Sequence, residues 1–506
     1  MTGAAAQVDL VITGAGFGGS LMAMIAHQLG LSVVLLEQGR HPRMVIGEST
    51  TPISNLLLER LSRTYDLPRL APLAKWGSWQ RAHPQIGCGL KRGFTFFHQD
   101  GGQLLVAASP HDAIADTHWF RADVDSFLAA EARSLGVQYH DCARIESLEI
   151  AEDGVALAGN ASDGPFRLRA GFLIDATGPR GLLHRRLQLE EAPLPGLPAT
   201  EALYSHFTGV ARTQGGDEED PYPVDDAAVH HVFAGGWAWV LRFANGVTSA
   251  GVAVTRQTAR ELALSEGQAA WQRVLDRLPK LREQFRWAVP CRPFRHMPCV
   301  SFRTRTIAGR QWAMLPSAAG FIDPLLSTGF PLTLLGIERL AHVISDGYEV
   351  QRYADETERD LLAANRLIGA LYATMENFDA FTAVSLLYFA AVSFAETAQR
   401  LERPELAPGF LLREHPRFGP AAHALLGEAW RLNGPADARA FTEEVVRLIE
   451  PFNLGRFGDP ACRNRYPVRA EDLLDARAKL GASRQQVLAM LSTTGFAGTQ
   501  TGGGIF

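Results

Sequence analysis

The stretch that most restricts this chain is Gly14-Ala15-Gly16-Phe17-Gly18-Gly19. It fits G-x-G-x-x-G in a context where that spacing has a physical use. Val8 to Thr13, just before it, is a mostly apolar run with β-branched residues, as expected of a parallel strand covered on both faces. Ser20 to Leu29 reads as an apolar helix, and Ser32 to Glu37 as a second strand. In such a βαβ unit Gly14 permits the tight turn, Gly16 lets the backbone approach a pyrophosphate, and Gly19 lets the helix lie close to the strand. The helix N-terminus offers free N–H groups to the anion. Contacts to a dinucleotide are therefore expected at Gly14, Gly16, Phe17 and Gly19. Glu37 ends the second strand, where an acid accepts hydrogen bonds from ribose hydroxyls and disfavours a 2′-phosphate. This much fits NAD and FAD equally.

At ~100–200 residues per domain, 506 residues suggest two to four domains. A net charge of -5 argues against nucleic acid as a partner, since such proteins carry a basic stripe. The five cysteines, Cys88, Cys142, Cys291, Cys299 and Cys462, are scattered and form no CxxC pair, which reads as reduced thiols in a cytoplasmic protein. Met1 to Ala6 lacks the basic region of a signal peptide. The longest uncharged apolar run, Ala380 to Ala395, falls short of the ~20 residues of a membrane span and reads as a buried helix. No transmembrane segment is expected.

Further along, Ala122 to Leu135 reads as a helix and Val137 to His140 as a strand. Ile145 to Leu168 reads as a hairpin with turns at Asp153-Gly154 and Asp163-Gly164, and Phe172 to Ala176 as a buried strand. Strand-like segments from Ala202 to Val254 are broken by an acidic run, Asp217 to Asp220, which reads as a solvated loop. The pattern is helical from about Gly336, up to a Gly- and Thr-rich tail, Thr493 to Phe506, expected to be irregular. His230-His231 lack a third ligand and read as packing residues, so no metal is expected. The order gives an α/β fold: residues 1–345 form a dinucleotide-binding domain with an inserted β-sheet substrate region, and residues 346–506 a helical domain covering the pocket.

Four later elements decide the cofactor. They are Ile46-Gly47-Glu48-Ser49-Thr50-Thr51-Pro52, Phe172 to Gly178 with its Asp175-Ala176-Thr177-Gly178 end, Gly236-Trp237-Ala238-Trp239-Val240-Leu241-Arg242-Phe243, and Ala318-Ala319-Gly320-Phe321-Ile322-Asp323-Pro324-Leu325-Leu326-Ser327-Thr328-Gly329-Phe330. In this order and spacing the chain resembles the flavin-dependent halogenases, within the glutathione-reductase-like FAD fold shared with aromatic hydroxylases. The resemblance covers roughly residues 8 to 400. It implies FAD, used as FADH2 from a separate flavin reductase, with chloride or bromide as co-substrate. It adds Glu48, Ser49, Arg121, Asp175, Gly178, Asp323 and Gly329 to the expected cofactor contacts. Ser327 and Thr328 would hold halide through backbone N–H groups in a turn, a concave anion site without formal charge. Trp237 and Trp239 would sit near a tunnel and keep substrate from the flavin. They also share one face of a strand, since residues i and i+2 point the same way.

In the family, O2 yields a flavin hydroperoxide, halide attacks it, and hypohalous acid travels to a lysine. Burial tunes the pKa of such a lysine. Leu90-Lys91-Arg92-Gly93-Phe94-Thr95-Phe96-Phe97 resembles the Lys-x-Gly-x-x-Phe element of members acting on phenols, or on pyrroles and other groups tethered to carrier proteins. That makes Lys91 the candidate. Lys75 competes because its distance from Glu48 is nearer the family's usual spacing.

Three positions depart from the family. Val240-Leu241-Arg242 replaces the Ile-Pro that follows the tryptophans, Pro316-Ser317 replaces a Gly-Asp, and Leu326 stands where tryptophan halogenases carry a glutamate. The last change argues against free tryptophan as substrate. The expected activity is FADH2- and O2-dependent halogenation of an electron-rich aromatic in natural-product biosynthesis. The alternatives are an FAD-dependent monooxygenase or dehydrogenase of the same fold, and a non-catalytic relative.

Overall fold

The computed structural model describes residues 5–214 and 217–496. The expected tail lies outside the described residues from position 497 onward. So do the first four residues of the chain.

A parallel sheet forms around the strand Ala6–Thr13, whose last four side chains are all buried. Val33–Leu36 pairs with it on one side and Gly164–Asp175 on the other, both parallel. Gln138–His140 and Trp312–Met314 extend the sheet at its two ends. The helix Phe17–Gln28 begins directly after the glycine turn and buries nearly its whole length. An apolar helix buried on most sides suits this position, between the sheet and the helices Arg121–Leu135 and Gly329–Ser345.

A second, mostly antiparallel sheet runs Val289–Pro290, Thr200–Thr208, Thr248–Thr255, Gly236–Arg242, Ala228–Phe233, Gly93–His98, Gln103–Ala107 and Arg465–Tyr466. It is not one insertion in the chain. Its strands come from residues near 100, between 200 and 300, and beyond 460.

Three local expectations need correction. The hairpin from Ile145 is a three-strand meander, Arg144–Ala151, Gly154–Ala161 and Gly164–Asp175, because the last strand runs unbroken into the parallel sheet. Among the described residues the C-terminal region is helical apart from the strand Arg465–Tyr466, which pairs with Leu105 and Val106 of the second sheet. The acidic run is not merely solvated: Arg465 pairs with Asp217 and Asp220, each at 2.8 Å.

The apolar run Ala380–Ala395 lies in the 23-residue helix Phe378–Arg400. By length and composition this helix could cross a membrane, but 78% of its most apolar window is buried inside the protein. It is a core helix and forms one wall of the main cavity.

Candidate active site

The glycine turn has the geometry its sequence requires. Gly14 has φ +94°, and a Cβ there would lie 2.5 Å from the Ala176 carbonyl oxygen. A Cβ on Gly19 would lie 1.8 Å from the Gly14 carbonyl oxygen. Only glycine lets strand, turn and helix approach this closely. Glu37 stands beside the turn. Its carboxylate accepts from the N–H groups of Ala15 and Gly39, each at 2.8 Å, and from Arg43 at 3.1 Å. Burial works to raise its pKa, but Arg43 and the two N–H groups outweigh it and the net shift is downward. Glu37 is thus held as an acceptor.

Arg121 opens the helix Arg121–Leu135 and lies over the Phe17 ring at 5.1 Å. It donates to both oxygens of Asp125 and to the carbonyls of Ile46 and Gly47. This ties the Gly-Glu-Ser segment to the glycine turn. Glu48 itself is buried, with its Oε1 2.8 Å from His206 Nε2. Ser49 bridges to His118, and its buried hydroxyl has no partner among the described residues. Asp175 accepts from Thr177 N–H and hydroxyl and from Leu183 N–H. Its carboxylate therefore shapes the turn at Gly178, where φ is +80° and a Cβ would meet no heavy atom within 4 Å.

The Asp323 segment is held by the tryptophan strand. Trp237 Nε1 donates to Asp323 Oδ1 at 3.2 Å, Tyr372 donates its hydroxyl to Oδ2 at 3.0 Å, and Leu325 N–H donates to Oδ1. Burial still pushes the Asp323 carboxyl up to about 6. Leu326 and Ser327 then take left-handed backbone angles, φ +62° and +56°, before the chain enters the helix Gly329–Ser345. Two consecutive non-glycine residues in this region mark stored backbone strain. The Ser327 N–H is used by Pro324. The N–H groups of Thr328 and Gly329, at the helix entrance, are the donors left to the turn. A Cβ on Gly329 would meet nothing within 4 Å, so the turn borders open room. Trp239 packs on Trp237 with ring centroids 5.6 Å apart.

A cavity of about 170 Å3 lies beyond this turn. Tyr388, Phe389, Glu396 and Arg400 of the helix Phe378–Arg400 form one wall, spaced so that they share a face. Phe94 and Val106 of the second sheet, with Asn55 of the helix Pro52–Thr64, form another. Residues between Leu454 and Phe496 close it. Phe378 and Phe381 instead pack in the core on His98 and Phe96.

Lys91 ends the short strand Cys88–Lys91 and is fully buried. Its Nζ donates to the Thr50 carbonyl and lies 3.9 Å from the centre of the Phe94 ring. The partner strand Asp116–Trp119 places Asp116 directly opposite. Burial lowers the Lys91 pKa and raises that of Asp116, each charge partly offsetting the other's loss of water. His118 and His230 nearby are driven down to about 3, chiefly by burial, and are neutral. His230 stacks on Phe96 at 4.6 Å. Lys75 lines the cavity, and its Nζ donates to the Thr494 carbonyl and pairs with Glu59 at 3.4 Å.

The sequence profile described as tryptophan halogenase matches residues 114–382. This chain belongs to the tryptophan halogenase family. The halogenase is 29% identical to the tetracycline 7-halogenase of Kitasatospora aureofaciens over 76% of its own length and 73% of the relative's. It is 28% identical to the monodechloroaminopyrrolnitrin halogenase PrnC of Pseudomonas fluorescens, over 73% of its length and 68% of the relative's. The crystal structure of the halogenase PltM, in complex with phloroglucinol and FAD, matches with a TM-score of 0.78 at 25% identity, covering 90% of this chain and 98% of that one. This is a flavin-dependent halogenase of aromatic substrates, with the glutathione-reductase-like FAD fold.

The residues present fit FAD. The glycine cradle, the Glu37 acceptor, the unpartnered Ser49 hydroxyl and the open room at Gly178 and Gly329 supply what a dinucleotide with a flavin ring requires. The sequence reading missed Arg43, His206, Asn55 and Asp116. A carboxylate amid the aromatic and β-branched residues of Asp116-Thr117-His118-Trp119 was the available signal for the last of these.

Proposed function

We propose that this halogenase chlorinates or brominates a phenol or another electron-rich ring seated in the cavity, with Lys91 delivering the oxidised halogen. The observation that carries this is the place of Lys91. Of the four lysines in the sequence it alone is fully buried, and it stands against the cavity wall at Phe94 and Asp116. Lysine is almost never buried without a reason.

Gly14, Gly16, Phe17, Gly19, Glu37, Arg121 and Gly178 would hold FAD, with Glu48, Ser49, Asp175, Asp323 and Gly329 shaping its surroundings. The chemistry that bound, reduced FAD supplies is oxidation of halide by O2 to hypohalous acid. The Ser327 N–H is committed to Pro324, so the halide would rest on the N–H groups of Thr328 and Gly329 in the turn anchored by Asp323. Trp237 and Trp239 wall this turn and keep the ring away from the flavin. At the wall formed by Phe94 and Asp116 the Lys91 ammonium would hydrogen-bond the hypohalous acid and draw electron density from the halogen. The aromatic wall of Phe94, Tyr388 and Phe389 orients the ring. Residues 346–506 act as the cover of that pocket. A separate flavin reductase supplies FADH2 in the cytoplasm, and the ring arrives free or on a carrier protein.

The test is an assay with a flavin reductase, chloride or bromide, and phloroglucinol or resorcinol. A halogenated ring is expected. Lys91→Met is expected to abolish it while oxidation of reduced flavin continues. A hydroxylated product with no halide dependence would refute the reading.

A further inference from the structure

The Asp116 carboxylate has an unusual standing. It is buried, yet it lines the cavity. Oδ1 accepts from Asn55 Nδ2 at 2.7 Å, and Asn55 lines the same cavity. Oδ2 is buried with no hydrogen-bond partner among the described residues. A buried carboxylate oxygen left unpaired costs free energy unless something uses it. Lys91 does not satisfy it. The two residues are register partners on adjacent antiparallel strands, which puts their Cβ atoms about 4.5–5.5 Å apart. The lysine Nζ nevertheless turns to the Thr50 carbonyl and the Phe94 ring. One carboxylate oxygen is therefore fixed by an amide, and the other is buried and unpaired in a residue that lines the cavity.

We propose that Asp116 is the base that removes the ring proton during halogenation. The inference rests on the reading of Lys91 given above. A π pair of the ring attacks the halogen of hypohalous acid, forming the carbon–halogen bond. The halogen–oxygen bond breaks with its electron pair left on oxygen. That oxygen takes a proton from the Lys91 ammonium and departs as water. The ring carbon then loses its proton to Oδ2 of Asp116, and the C–H pair restores aromaticity. Passage of that proton from the Asp116 carboxyl to the neutral Lys91 amine resets both groups. The sum is ring C–H plus hypohalous acid giving ring C–X plus water. Asn55 is a positioning residue that holds Oδ1 so that Oδ2 faces the ring.

The test compares wild type, Asp116→Asn, Asp116→Glu and Lys91→Met with resorcinol and ring-deuterated resorcinol, following halogenated product and oxidation of reduced flavin. Asp116→Asn is expected to lower product formation on the order of 100-fold, the usual worth of a positioned base. Oxidation of reduced flavin should continue, and a primary deuterium isotope effect should appear on the residual product. Asp116→Glu should recover part of the rate. Product from Asp116→Asn at the wild-type rate, with Lys91→Met inactive, overturns the inference and leaves the lysine reading standing. So does loss of product in Asp116→Asn with no isotope effect, which marks a carboxylate that only holds the lysine in place. Should Asp116→Asn fail to fold, the Asp116→Glu isotope effect decides. A value above that of wild type supports the base, and an unchanged one opposes it. Full product from Lys91→Met, or none from wild type, overturns the lysine reading and the inference with it.

Discussion

The Trp237 indole N–H donates to Oδ1 of Asp323 at 3.2 Å, joining two segments 86 residues apart. One belongs to the antiparallel sheet. The other is the turn that leads into the helix Gly329–Ser345. The tryptophan is thus more than a wall: it holds the carboxylate from which the strained Leu326-Ser327 turn springs. Trp237→Phe keeps an aromatic ring but removes the donor and, at this buried site, leaves a small void. It should cost about 1–3 kcal/mol of stability and raise the halide concentration needed for half-maximal rate. Thermal unfolding and chloride titration of the activity check this. A variant with wild-type halide dependence would separate the tryptophan from the turn.

Asp323 also sets a pH dependence of stability. Burial raises its folded-state value to about 6, opposed by its three donors. Between the ordinary carboxylate value and this one, the folded state binds the proton more tightly than the unfolded chain does. The stability it contributes is therefore fully present below the ordinary value and lost as pH rises through about 6. Asp323→Asn cannot titrate. Relative to wild type, its stability should rise by about 1 kcal/mol between about pH 5 and about pH 7.5. Denaturant unfolding at the two pH values measures the difference, and an unchanged gap would contradict it.

Activity should be bell-shaped in pH. Asp116 must be ionised to accept a proton, and burial pushes its carboxyl up. Lys91 must be protonated to donate one, and burial pushes its ammonium down. Tyr388, Glu396 and Arg400 face Asp116 from the helix Phe378–Arg400, Asn55 from the helix Pro52–Thr64, and Lys91 from the partner strand. The neutral His118 and His230 flank Lys91. Product per reduced flavin oxidised should fall on the acid side as Asp116 takes up its proton and on the alkaline side as Lys91 loses its own. Asp116→Asn should remove the acid limb alone.

Gly19→Ala tests the cradle. Its Cβ would fall 1.8 Å from the Gly14 carbonyl oxygen, a backbone atom that cannot rotate away. The turn must open, and the variant should purify without bound flavin or fail to accumulate. Flavin absorbance of the purified protein decides, and a yellow Gly19→Ala protein would show that the turn tolerates a wider separation.

Lys75→Ala separates the two lysines. Lys75 makes one partly exposed ion pair with Glu59 and a bond to the Thr494 carbonyl. Its loss should cost less than about 1 kcal/mol and leave halogenation in place. Loss of halogenated product with flavin oxidation intact would move the delivering role to Lys75.

Much of the cofactor half was legible because its signals are local. Gly14 to Gly19, the flanking strands and Glu37 lie within 32 consecutive residues, and each has a steric or hydrogen-bonding reason that reads directly from residue type. Lys91 emerged from a resemblance. Asp116 did not, since what qualifies it is a register across two four-residue strands, Lys91 opposite Asp116, and no periodicity encodes that pairing. Arg465–Tyr466 is too short to show alternation. Its attachment to Gln103–Ala107 and the ion pairs from Arg465 to the acidic run are long-range facts that become visible only once the chain is folded.

The family profile ends at residue 382, and the cavity wall from Tyr388 onward lies beyond it. The groups assigned to flavin and halide all precede residue 331, whereas the cover over the ring is drawn largely from Leu454 to Phe496. The residues that close the cavity thus lie outside the stretch the family profile describes, and they can be exchanged without touching the glycine turn or the Asp323 anchor.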